Sequence, residues 1–144
     1  MEENHTVKLL KECDAGSKMA VVSIDEVIEK ITDSGLKEIL TKSKSTHEKL
    51  GNEIHEELLK QGAEEKDPNP IAKGMSWMKT NAKITMKESD QTVADLITDG
   101  CNMGIKSLYR YKNQYPKADE KAFQLCDDLI ETEEVLRMDM RKYL

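Results

Sequence analysis

The chain has few residues that break or bend a backbone. Proline occurs only at Pro68, Pro70 and Pro116, and glycine seven times in 144 residues. Turns are therefore sparse, and long stretches run without a breaker. Aromatic side chains are as scarce, with one Trp, one Phe and four Tyr, so flexible methionine, eight in all, must fill part of any core. No apolar run approaches the length that crosses a bilayer, the longest being of the kind "MAVVSI". The start, "MEENHTVK", has no basic segment leading into an apolar one, and no secretion signal is expected from it. Cys13, Cys101 and Cys126 are odd in number and lack metal-site spacing, which points to free thiols in a reducing cytoplasm. None stands beside a convincing base. No phosphate loop or nucleophile elbow is present either. Positive charge is in deficit, with a net charge of −6, so neither nucleic acid nor an anionic membrane is an expected partner.

What the chain does have is helical periodicity. Apolar residues recur at three and four positions, and no segment alternates as a strand would. A first stripe comprises Val7, Leu10, Asp14, Ser17, Val21, Ile24, Ile28 and Ile31. A second, capped by Asp33 or Ser34, comprises Leu36, Leu40, Ser43, His47, Leu50, Ile54 and Leu58. Gly62 suits the end of that helix. A third runs from Ser89–Asp90 through Val93, Ile97, Cys101, Gly104, Leu108 and Tyr111, ending near Pro116. The fourth carries Ala122, Leu125 or Cys126, Leu129, Glu133, Leu136 and Met140. Short links within pairs and a long link between them predict an all-α, antiparallel four-helix bundle of two helical hairpins. It forms a single domain over 1–144, with hairpin one at 5–62, a crossover at 63–89 and hairpin two at 90–144. Ile71–Met86 reads as a short extra helix that crosses one end of the bundle and pins it with Trp77.

Two "Cys-x-x-Gly-x-Lys" segments, Cys13–Lys18 and Cys101–Lys106, lie 88 positions apart. The packing register prefers other offsets. An offset of 86 lays Leu50 on Leu136 and Ile54 on Met140, and one of 87 lays Leu9 on Leu96 and Leu10 on Ile97. A slip of one residue turns a helix face by about 100°. The hairpin is thus the repeated unit, and the literal motif match is a partial coincidence laid over it.

Halfway along, the stripes turn polar at Asp14, Ser17, Ser43, His47, Cys101, Gly104 and Glu133. His47 and Glu133 are equivalent under the offset of 86. A charge buried there must be paired, protonated or metal-bound. One reading is a structural layer in which His47 bonds Glu133 or Asp14 and fixes helix register. The other is a metal or redox site of Asp14, His47 and Glu133, suited to iron, manganese or zinc. The di-iron carboxylate pattern needs Glu-x-x-His on two helices and a Glu on each of the others. Lys44, Ile130, Cys101 and Gly104 depart from it.

The segments "ECDAG" (Glu12–Gly16), "DSGLKEIL" (Asp33–Leu40), "GMSWMK" (Gly74–Lys79) and "DLITDGC" (Asp95–Cys101) resemble the ferritin-like superfamily. The likeness is to small bacterial proteins with a rubrerythrin-like bundle. It implies the bundle fold and a history of metal binding, with Asp14, His47 and Glu133 as the ligand positions that remain. The expected function is a non-catalytic helical bundle acting by self-association, such as a homodimer, or by binding another protein. The alternative is a metal-binding, oxidative-stress protein with a reduced carboxylate–histidine site. A third reading is a small-molecule or lipid binder with a cavity lined by Met19, Met103, Met138 and Met140.

Overall fold

The computed structural model describes residues 4–63 and 89–144. The expectations for Gly74, Trp77 and the extra helix at Ile71–Met86 lie outside the described residues. Helix α1 spans His5–Ile28, α2 spans Ser34–Lys60, α3 spans Ser89–Gln114 and α4 spans Glu120–Met140. A 3-10 turn, Arg141–Tyr143, follows α4. No strand occurs among the described residues.

The helix ends follow local chemistry. Asn4, Asp33 and Asp119 each accept a bond from the backbone N–H three residues on, at 3.1, 2.8 and 2.8 Å. This satisfies donors that the first turn leaves unpaired. Just past the end of α2 and its cap Gln61 comes Gly62, whose φ of 73° most side chains would resist. The N–H of Gly62 bonds the Leu59 carbonyl and that of Ala63 bonds Leu58, both at 3.0 Å, the paired closure favoured by a glycine in this conformation.

Polar clamps at the two ends fix the helix directions. At one end Asp90, opening α3, accepts from the Thr32 N–H at 2.8 Å, the Thr32 hydroxyl at 2.7 Å and the Asp33 N–H at 3.1 Å. At the other, the Lys117 N–H donates to His5 Nδ1 at 3.0 Å and the Asp119 N–H to Thr6 Oγ1 at 2.9 Å. Helices α1 and α4 therefore run parallel, and α1 runs antiparallel to both α2 and α3. Helices α2 and α3 then share a direction, so Gly62 and Asp90 lie at opposite ends of the bundle. The architecture is the expected antiparallel four-helix bundle of two hairpins, α1–α2 and α3–α4.

The core divides into two apolar clusters. One holds Leu9, Leu10, Ile54, Leu58, Leu108, Leu125 and Leu129 at the His5 end. The other holds Ile24, Val27, Leu36, Leu40, Val93, Ile97, Leu136 and Met140 at the Asp90 end. Leu9, Leu36, Leu40, Ile54 and Leu125 are completely buried, so truncating any one to Ala costs roughly 2–5 kcal/mol. Among the described residues, the buried polar ones are Asp14, Ser17, His47 and Glu133, and they fall between these clusters in sequence on α1, α2 and α4.

Candidate functional site

The middle layer is built by helices that carry polar groups on their inward faces. His47 is wholly buried on α2, and Glu133 reaches it from α4 with 7% exposure. Their contact, His47 Nε2 to Glu133 Oε1, is 3.1 Å. The other ring nitrogen, Nδ1, lies 2.8 Å from the Ser43 carbonyl and 3.3 Å from the Ser43 hydroxyl. A carbonyl only accepts, so Nδ1 carries a proton. With Glu133 ionised, Nε2 donates as well and the ring is an imidazolium. Burial disfavours that charge, but the Glu133 carboxylate and the Ser43 carbonyl outweigh it and hold the His47 pKa above its ordinary value.

Helices α1 and α3 shape the rest of the layer. Ser17 donates its hydroxyl to the Asp14 carbonyl at 2.9 Å. A Cβ on Gly51 would come within 3.0 Å of that Ser17 oxygen, so the glycine lets α2 approach α1 closely. Glu133 sits against the backbone of Gly104, where an added Cβ would lie 3.6 Å from the carboxyl carbon. Cys101 stands beside Glu133, and burial followed by that negative charge pushes its thiol pKa up. It is a poor nucleophile there.

Asp14 is recruited differently. Its Oδ2 pairs with Lys18 Nζ at 2.8 Å, one turn along the same helix, while its Oδ1 is buried without a hydrogen-bond partner. The structure thus brings His47 and Glu133 together and engages Asp14 with Lys18. Among the described residues, no group of three or more His, Cys, Asp or Glu side chains is placed to hold a metal ion. Among the described residues, the side chains around Asp14, His47 and Glu133 do not assemble the iron, manganese or zinc site considered from the sequence. Lys44, at the place where the di-iron pattern requires Glu, is turned toward Asp25 of α1 at 2.6 Å.

Two features escaped the sequence. Cys13 of α1 and Cys126 of α4 are neighbours in the cluster at the His5 end. The Cys126 thiol, then burial, pushes the Cys13 pKa up. Their separation of 113 positions gave no local signal, and only the parallel packing of α1 and α4 joins them. The second is an open groove of about 750 Å³ between α2 and α4. Ile39, Leu50, Val135 and Leu136 supply its apolar lining, and Tyr143 stands at its Gly35 end. None of Met19, Met103, Met138 and Met140 lines it. Met103 and Met138 face solvent, and Met140 is core. The groove lies on a different face of α4 from Met140, because α4 turns Val135 outward and Met140 inward.

No protein-family model matches the chain, and neither the curated proteins nor the solved structures give a match. No helix of the described residues is long and apolar enough to cross a membrane.

Proposed function

We propose that this chain is a ferritin-like, non-catalytic bundle whose role is to bind a protein, either a partner or a second copy of itself. The observation that carries this reading is the groove between α2 and α4. Its apolar lining includes Val135, which is 51% exposed in the single chain. An open apolar groove on a helical bundle suits helix-in-groove recognition. The interior chemistry supports the same reading, because His47 and Glu133 satisfy each other out of reach of a substrate. A cytoplasmic setting belongs to the proposal and is supported by three buried, unpaired thiols.

Light scattering of the untagged protein over a hundredfold concentration range, combined with cross-linking in its native extract, tests this. The expected outcome is a defined dimer or a defined heterocomplex, lost when Val135 is replaced by Arg. A partnerless monomer under all conditions overturns it. Elemental analysis of the same sample covers the metal-binding alternative, which requires stoichiometric iron, manganese or zinc that falls away in His47→Ala.

A further inference from the structure

We infer that the α2–α4 groove takes a basic amphipathic helix from a partner protein, a proposal that deepens the binding reading above. The groove runs from Gly35 to Leu50 along α2. At 1.5 Å per residue this is roughly 22 Å, or about four helical turns. Its apolar lining matches the stripe of a helix with anchors spaced three and four apart. The walls then set the charge of the occupant. Glu38, Asp128, Glu131 and Asp139 line the groove against only Lys42 and Lys142. Some acids elsewhere are paired with a lysine, as in Asp14 with Lys18, Asp25 with Lys44 and Asp127 with Lys112. No described residue forms an ion pair with the four groove carboxylates. One of the two groove cations, Lys142, is drawn over the Tyr143 ring at 5.3 Å.

A helix with Leu or Ile along one face and Lys or Arg on its flanks would cover Val135 and place cations beside Glu131 and Asp139. Charge complementarity of this kind speeds encounter and rejects wrong partners. A second copy is disfavoured on the same ground. Two such grooves face to face would oppose eight carboxylates with four ammonium groups.

The test uses the full chain and a fluorescent lysine–leucine peptide of about four turns, with leucines at i, i+4, i+7 and i+11. Two further peptides serve as controls, one scrambled and one with Glu in place of Lys. Fluorescence anisotropy should show saturable one-to-one binding of the first peptide only, weakening as salt rises. The double variant Glu131→Lys with Asp139→Lys should weaken it at least about tenfold. Val135→Ser should weaken it about fivefold, and Asp99→Lys, exposed on α3 away from the groove, should leave it unchanged. Equal binding of the scrambled peptide, or indifference to the groove variants, overturns the inference. So does a wild-type dimer that Val135→Arg dissolves, since the occupant is then a second copy. A fall of several degrees in melting temperature for Val135→Arg without peptide shows a groove filled from within the chain, and also overturns it. If the peptide fails while light scattering shows a complex formed through another surface, the occupant is wrong and the binding function stands. If no complex forms at all, both fall.

Discussion

Replacing His47 by Leu is the sharpest perturbation the interior offers. The two side chains are close in size, so the change removes a charge and two hydrogen bonds and opens little space. It leaves Glu133, 7% exposed, with its partner at 3.1 Å gone. Breaking one side of a buried pair costs about 3–5 kcal/mol, because the remaining charge keeps its desolvation penalty without compensation. For a chain of this size that is a drop in melting temperature of roughly 10–20 °C. Glu133→Gln should cost far less, about 1 kcal/mol. Neutral His47 keeps its Nδ1 proton on the Ser43 carbonyl, and Nε2 becomes an acceptor for the amide. The double variant His47→Leu with Glu133→Leu should return to within about 1 kcal/mol of the wild type, or exceed it, because neither charge is then buried. Urea unfolding followed by helical circular dichroism at pH 7 measures all three. Additive losses in the double variant, or a His47→Leu protein as stable as the wild type, would refute the buried pair as the organising contact of the layer.

The pH dependence of stability has a definite sign. His47 is raised in the folded state, so its contribution is complete below the unfolded value near 6.5 and is lost as pH rises through the folded value. The urea midpoint of the wild type should fall between pH 6 and pH 9, and in Glu133→Gln the trend should reverse, since a buried neutral ring must charge as pH drops. Asp90 behaves oppositely: bonds from the Thr32 hydroxyl, then the Thr32 backbone, hold its pKa down. Its stabilisation is present above the unfolded value near 3.9 and fades as pH falls through the folded one. Asp90→Ala should cost roughly 1 kcal/mol at pH 7 and almost nothing under strong acid, by the same urea assay. Gly100→Ala, on an exposed helical position with nothing within 4 Å of the new Cβ, should add roughly 0.5–1 kcal/mol. Gly62→Ala, at φ of 73°, should lose about 1 kcal/mol, both read from thermal unfolding.

Much of the site was legible before any coordinates. Asp14, Ser17, His47 and Glu133 all break an apolar stripe, and those four are the buried polar residues among the described ones. The equivalence of His47 and Glu133 under an offset of 86 brought them to one level, as the contact between them shows. The repeat was less exact at its edges. Leu58 is buried while its counterpart Leu144 is half exposed, because the chain leaves α4 in a 3-10 turn. Asp14 was legible as buried but not as the partner of Lys18, since periodicity says which way a residue faces and not which neighbour it meets.

Helix identity, the hairpin pairing and the depth of the polar layer follow from the order of residues alone, because a period of 3.6 fixes which side chains share a face. Two things came only from packing. They are the Cys13–Cys126 contact and the opening of an acid-walled groove beside Val135. Each depends on how far apart two helices settle and at what angle, and those distances are set by all the side chains between them at once.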